Sequence, residues 1–210
     1  MTSLALDRES LVRRGLRLNY LTIGYNVVEA LVSLVSGVLA GSVALVGFGV
    51  DSVIEVSASA AAQWRLRVDV DHARREHVEQ LTRRAIGISF LALALYVAID
   101  SGKSLWLGEH PDRSITGIII LTMSVIVMPI LSRAKRRVAR ALESRALEAD
   151  ATQTSLCAWL SAIALAGVAL NATLGWWWAD PLAALAMVPI IAKEGVEGIR
   201  GDPACDDCCR

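Results

Sequence analysis

The sequence predicts an all-α membrane protein, a bundle of six transmembrane helices with both termini in the cytoplasm. Three observations support this prediction: an apolar composition, long uninterrupted apolar segments, and basic residues concentrated on one side of those segments. Of the 210 residues, 54% are hydrophobic and 20% are charged, whereas soluble domains average about 45–50% apolar and about 25% charged residues. This composition excludes a soluble globular enzyme, a disordered chain and a nucleic-acid-binding protein.

The first three apolar segments each have the length needed to cross a bilayer, which is about 20 residues for a helix. The first covers residues 18–40, contains a single acid and ends at a Gly-Ser pair. The second covers residues 43–63 and contains two acids as its only charges. The third covers residues 85–101 and extends to Leu107 past one lysine.

The last three segments complete the predicted bundle. Residues 115–131 and 152–174 contain no charged residue, which is typical of a transmembrane helix. The sixth segment, residues 177–192, is shorter, and its hydropathy gives the weakest indication of a transmembrane helix among the six. Its Asp180 precedes Pro181, a pattern that predicts the N-cap of the sixth helix.

Basic residues decide the orientation. All 21 lysines and arginines except Lys103 and Arg113 fall on one side when the six segments alternate in direction. The positive-inside rule places that side in the cytoplasm, so the protein is expected in the plasma or inner membrane of the cell as a multi-pass protein. Residues 1–17 form a cytoplasmic N-terminal segment, residues 18–200 the transmembrane domain, and residues 201–210 a Cys/Asp-rich cytoplasmic tail.

Two acids in the second segment are the strongest functional signal. An ionisable residue at mid-membrane costs roughly 2.5–3.5 kcal/mol on insertion scales, so its presence indicates function. Asp51 and Glu55 are four residues apart and therefore share one helical face, where two ionised carboxylates repel each other. No Lys or Arg lies within any of the six segments. The missing positive charge must come from a proton or a metal ion.

Gln153 and Cys157 form a second pair with the same spacing, in the fifth segment. At about 1.5 Å of rise per residue, counted from the cytoplasmic ends of the two antiparallel helices, Glu55 is level with Gln153 and Asp51 with Cys157. Two carboxylates, an amide oxygen and a sulfur suit a borderline-soft ion such as Zn²⁺. Ca²⁺ and Mg²⁺ prefer shells made only of oxygen.

Other polar residues have more than one interpretation. Asn26 and Glu29 on the first segment either support these ligands, form a structural hydrogen bond, or line the ion path. Cys205, Cys208 and Cys209 belong either to a loose metal-capturing tail or to a disordered end.

Three stretches of the sequence resemble the cation diffusion facilitator family. Residues 41–59, GSVALVGFGVDSVIEVSAS, resemble its second transmembrane helix, which has a small-residue turn and then Asp-Ser-x-x-[Asp/Glu]. Residues 146–157, ALEADATQTSLC, look like its fifth helix, and WADP at residues 178–181 looks like the start of its sixth. The chain resembles a short form of the family that lacks the C-terminal cytoplasmic domain.

The resemblance implies a transporter rather than an enzyme. It implies export of Zn²⁺, or of the related Cd²⁺ or Co²⁺, in exchange for protons, by a homodimer in the lipid bilayer that holds no cofactor. The family site has two acids on helix two, matched here by Asp51 and Glu55. It has His and Asp on helix five, where this chain has Gln153 and Cys157. These two departures and the missing domain leave an alternative, a non-transporting membrane metal sensor or partner subunit.

Overall fold

The computed structural model describes residues 2–67, 72–142 and 145–200. Within these residues there are six α-helices and no strand, so the prediction of an all-α six-helix bundle is confirmed. The helices are α1 (Thr2–Ala40), α2 (Val43–Arg67), α3 (His72–Leu107), α4 (Ile115–Leu142), α5 (Arg145–Leu174) and α6 (Ala179–Arg200).

Glycine ends three of the helices where the sequence predicted. Gly41, Gly108 and Gly175 follow the last residues of α1, α3 and α5 and have φ angles of 64°, 63° and 69°. This left-handed conformation is costly for a residue with a Cβ and is the usual way to close a helix at its C-terminus. Local backbone chemistry therefore sets these three boundaries.

The opposite helix ends extend beyond the apolar segments. The first helix begins at residue 2 and runs through residue 17 without a break, α3 begins at His72, and α4 continues to Leu142. Arg, Lys, Glu and Ala are good helix formers, so a helix continues after it leaves the hydrocarbon. Hydropathy therefore marks the apolar part of each helix and not its full length.

The short connections between helices meet at one end of the bundle. The backbone N–H of Asp112 donates to the Ala40 carbonyl at 2.7 Å, and the Asn171 amide donates to the Pro111 carbonyl at 2.9 Å. The ring of His110 lies against that of Trp177, with centroids 5.1 Å apart. Since the connections after α1, α3 and α5 lie together, successive helices run in opposite directions.

Helix α2 occupies the centre of the bundle, where it contacts α1, α3, α5 and α6. Helix α5 packs against α4 and α6 as well as α2, and α3 pairs with α6. The last pair is in close contact, because a Cβ added at Gly87 would lie 2.7 Å from the Gly195 carbonyl oxygen. Small residues allow membrane helices to approach in this way.

Five of the helices, within the described residues, are long and apolar enough to cross a membrane. These spans are Leu11–Ala40, Val43–Ala60, Arg84–Leu107, Ile115–Ala141 and Asp150–Leu174. Helix α6 is not among them, in line with its weak hydropathy in the sequence. The chain is a multi-pass membrane protein, while the sixth crossing and the cytoplasmic position of the termini stay predictions.

Asp180 caps a different helix from the one predicted. It lies inside the first turn of α6, and its buried carboxylate accepts hydrogen bonds from the Ser42 hydroxyl at 2.5 Å and the Ala44 N–H at 3.5 Å. The carboxylate therefore satisfies the N-terminus of α2, which begins at Val43. The cap was assigned to the wrong helix because the sequence does not show that the two helix starts are neighbours.

The substitution Asp180→Ala is expected to lower the free energy of unfolding by about 1–2 kcal/mol, because it removes an acceptor at the N-terminus of α2 and leaves the O–H of Ser42 without its acceptor. Denaturation in detergent, followed by circular dichroism, measures this change. Asp112→Ala is the matched control, an exposed acid at the same end of the bundle. Equal stability of the two variants would contradict a capping role.

Candidate metal-binding site

The four predicted ligands line one narrow cleft, formed mainly by α2, α5 and α6. Asp51 and Glu55 approach it from α2, and Gln153 and Cys157 approach it from α5. The other lining residues are five apolar side chains and one acid, namely Phe90, Leu156, Leu160, Ile190, Ile191 and Glu194. The cleft therefore contains acids, an amide and a thiol, and none of its lining residues in the described part of the chain is basic.

The acids are held away from water. Asp51 is 4% exposed, and Glu55 and Cys157 are each 2% exposed, whereas Gln153 is partly exposed. Both carboxylate oxygens of Glu55 are buried without a hydrogen-bond partner in the described part of the chain. An unsatisfied buried carboxylate is costly, so these oxygens are available to a ligand.

Glu29 reaches the same region from α1. It is fully buried, and its Oε2 atom accepts a hydrogen bond from the Ser52 hydroxyl at 2.9 Å. The same oxygen lies 3.8 Å from Cys157 Sγ. Asn26 is also fully buried, and neither atom of its amide has a partner among the described residues. Glu29 therefore contacts Cys157, one of the predicted ligands, directly.

The acids and the thiol are near one another, but they do not form a complete coordination shell for a metal ion. Among the residues whose side chains are described, no three His, Cys, Asp or Glu side chains are close enough together to hold an ion as they stand. A cation at this position requires the side chains of neighbouring helices to close around it. The assignment of ligands stays a prediction.

Lys135 lies beyond the fourth apolar segment of the sequence, yet the structure places its side chain inside the bundle. Its side chain is fully buried, pairs with the Asp150 carboxylate at 2.8 Å and donates to the Thr154 hydroxyl at 3.1 Å. Ser59 of α2 donates to the same carboxylate at 2.9 Å. The Lys135 charge also acts on Glu55, although Asp150 holds it in an ion pair. The Lys135–Asp150 pair is thus a neutral unit beside the cleft.

The sequence contains a signal for this pair that hydropathy misses. Lys135 belongs to a run of basic residues that follows the fourth apolar segment. Helix α4 continues through this run. Ser124, Met128 and Ser132 precede Lys135 at intervals of three or four residues and are buried on the same face. Arg133 and Arg137, off that face, are exposed. Helical periodicity therefore distinguishes the inward lysine from its neighbours.

Glu194 is a second residue that the sequence prediction missed. It lies beyond the apolar part of α6, is partly buried and lines the cleft. Burial raises the pKa of its carboxyl above the ordinary value, Glu197 adds to that shift, and Lys193 opposes it. Glu194 marks the cleft edge nearest the basic ends of the helices. The predicted tail ligands Cys205, Cys208 and Cys209 lie outside the described residues.

Comparison with known proteins gives one family and two relatives. Residues 20–201 match the family described as the cation efflux transmembrane domain. The chain is 27% identical over 194 residues to "Uncharacterized transporter YdbO" of Bacillus subtilis, which covers 90% of this chain and 67% of that protein. It is 26% identical over 153 residues to "Uncharacterized transporter sll1263" of Synechocystis sp., which covers 70% of this chain and 49% of that protein.

The family match runs from the middle of α1 to the end of α6, although the chain covers only about two thirds and about half of the two relatives. It includes both helices that supply the predicted ligands. Together with the transporter names of the relatives, the match supports metal-cation transport as the coarse function. The resemblance seen in the sequence is confirmed, and the chain belongs to the cation efflux family.

Proposed function

We propose that this protein exports Zn²⁺, or the related Cd²⁺ or Co²⁺, from the cytoplasm across the cell membrane in exchange for protons. Asp51 and Glu55 supply the charge that binds the cation, and Gln153 and Cys157 complete the site. One observation carries the proposal: two buried acids line a cleft in which no lining residue that the structure describes is basic.

Charge and ligand type together favour a borderline-soft divalent cation. Asp51 and Glu55 carry two negative charges when ionised, and the nearby Lys135 is already paired with Asp150. A divalent cation balances the two carboxylates, and the Cys157 sulfur favours Zn²⁺ or Cd²⁺ over Ca²⁺ or Mg²⁺. The metal is the transported substrate and is held only transiently.

Protons are proposed to replace the metal on the carboxylates. When the cation leaves, two neighbouring buried acids favour a shared proton over two uncompensated charges. Gln153 has no titratable group, so the carboxylates themselves carry the exchanged protons. Rocking of the helices around the α2–α5 contact then exposes the site to one side of the membrane at a time. We propose that the protein works as a homodimer with both termini in the cytoplasm.

A second candidate is a membrane metal sensor or partner subunit that binds the cation without transporting it. The observation that favours it is Gln153, a residue without a titratable group at a position lining the cleft. Such a protein would bind Zn²⁺ and show no flux.

Transport by the purified protein in proteoliposomes distinguishes the two candidates. Uptake of Zn²⁺, Cd²⁺, Co²⁺ and Mn²⁺ into the proteoliposomes is measured with and without a proton gradient directed outward. Liposomes without protein serve as the control. We expect saturable uptake of Zn²⁺ and Cd²⁺ that the proton gradient accelerates. Zn²⁺ binding without uptake of any of the four ions would overturn the transporter and favour the sensor.

A further inference from the structure

Glu29 is a fully buried acid that the proposed site does not use. One of its oxygens accepts the Ser52 hydroxyl. The other, Oε1, makes no hydrogen bond in the described part of the chain, where the hydroxyls of Tyr25 and Ser124 lie next to the carboxylate. No ion pair is formed between Glu29 and any described basic residue. A buried carboxylate with a free oxygen and no counter-charge is costly unless a cation approaches it.

The surroundings of Glu29 point to where that cation binds. Glu29 contacts Cys157, and Cys157 lines the same cleft as Asp51 and Glu55. Acids from α1 and α2 and a thiol from α5 thus lie in one region of the bundle, with Glu29 Oε2 3.8 Å from Cys157 Sγ. Lys135, the nearby buried cation, is held by Asp150 and does not compensate Glu29.

The distance between Glu29 Oε2 and Cys157 Sγ fits two ligands of one metal ion. A tetrahedral site with Zn–S of about 2.3 Å and Zn–O of about 2.0–2.2 Å places the sulfur and the oxygen about 3.5–3.7 Å apart. The observed separation is 3.8 Å. A zinc ion between these atoms therefore needs only a small adjustment of the two side chains.

Gln153 is a weaker candidate for the same position. It is partly exposed, whereas Glu29 is fully buried, and its amide contributes no net charge. Within the described residues it makes no hydrogen bond to Asp51 or Glu55. Gln153 is neutral and lies at the accessible side of the cleft. It is therefore better suited to a transient contact with the passing cation than to the role of a charged ligand.

We propose that Glu29 is a direct ligand of the transported cation in place of Gln153. The site then consists of Glu29 from α1, Asp51 and Glu55 from α2, and Cys157 from α5, with three oxygen ligands and one sulfur. This inference rests on the proposed function and changes one of the four ligands named there, with Glu29 taking the role given to Gln153. It also makes α1 part of the binding unit, so α1 moves with α2 when the site changes sides.

Zinc affinity of the purified protein tests the ligand assignment. Cys205, Cys208 and Cys209 are replaced by serine throughout, so that the tail adds no binding, and the dissociation constant is measured by competition with a chelating dye. Loss of a group that merely orients a ligand costs about 10–100-fold in affinity. Glu29→Gln should therefore weaken binding by at least about 100-fold, while Gln153→Ala changes it by less than about tenfold.

Glu109→Gln is the matched control, since it removes an exposed acid whose carboxylate forms a surface ion pair with Lys103. It should leave zinc affinity unchanged. Near-normal binding by Glu29→Gln together with weak binding by Gln153→Ala would overturn the assignment. Failure of the parent protein to bind any zinc would instead refute the proposed function.

Glu29→Asp keeps the inference testable if Glu29→Gln does not fold. This substitution preserves the charge, but the side chain is one methylene shorter, so its oxygens lie farther from Cys157. We expect a normal melting temperature without metal and at least tenfold weaker zinc binding, since ligation depends on position to within a few tenths of an ångström. Unchanged affinity in a folded Glu29→Asp protein would contradict direct ligation.

Discussion

Replacing Lys135 with methionine is expected to destabilise the protein by about 3–5 kcal/mol, because it leaves a buried charge without its partner. Asp150 would lose the ammonium that lies 2.8 Å from its carboxylate, in a position almost closed to water. The free energy of unfolding, measured by denaturant titration in detergent, reports this effect. It should be the largest change in stability among substitutions of the three lysines, Lys103, Lys135 and Lys193.

The double variant Lys135→Met/Asp150→Asn separates the charge from the packing. It removes both members of the pair and should recover most of the lost stability, because a neutral pair of similar volume leaves no uncompensated charge. Lys193→Met is the matched control for an exposed pair, since Lys193 lies 3.7 Å from Glu197 at the surface. Its effect should be below about 0.5 kcal/mol. Equal effects of the buried and exposed substitutions would contradict the ion pair.

Asp51→Asn and Glu55→Gln should each reduce zinc transport in proteoliposomes by more than about 100-fold, since each removes a charge-bearing ligand. The substitutions keep the shape of the side chains, so the cleft should retain its packing. Rates are compared at equal protein content, and the melting temperature without metal confirms that each variant is folded.

Asp112→Asn provides the control for this second experiment, because it alters an exposed acid at the end of the bundle where the short connections meet. It should transport zinc at the rate of the parent protein. Parent-like transport by both Asp51→Asn and Glu55→Gln would end the proposal that these acids bind the cation.

The sequence predicts the fold well because its signals are local. A glycine that ends a helix, or an apolar segment of 20 residues, determines structure without reference to distant parts of the chain. Gly41 and Gly175 show this, since the helices before them end where the sequence predicted. The starts of α1 and α3 differ because charged residues with good helix propensity extend a helix into water.

The partners of the buried polar residues could be predicted only in part. The helical spacing of Asp51 and Glu55 indicates a shared face, and both line the cleft. The contact between Glu29 and Cys157 joins residues 128 positions apart, and the cap that Asp180 places on α2 joins residues about as far apart. Such contacts depend on which helices are neighbours and how they are rotated, and no local pattern in the sequence specifies either property.

The stoichiometry of zinc binding tests the central claim most directly, namely that the buried acids of α2 are retained because a divalent cation binds them. Equilibrium dialysis is performed on the purified protein with Cys205, Cys208 and Cys209 replaced by serine, and on the same protein carrying Asp51→Asn and Glu55→Gln. The account predicts one zinc ion per chain in the first protein and none in the second. Equal zinc content in the two proteins would contradict it.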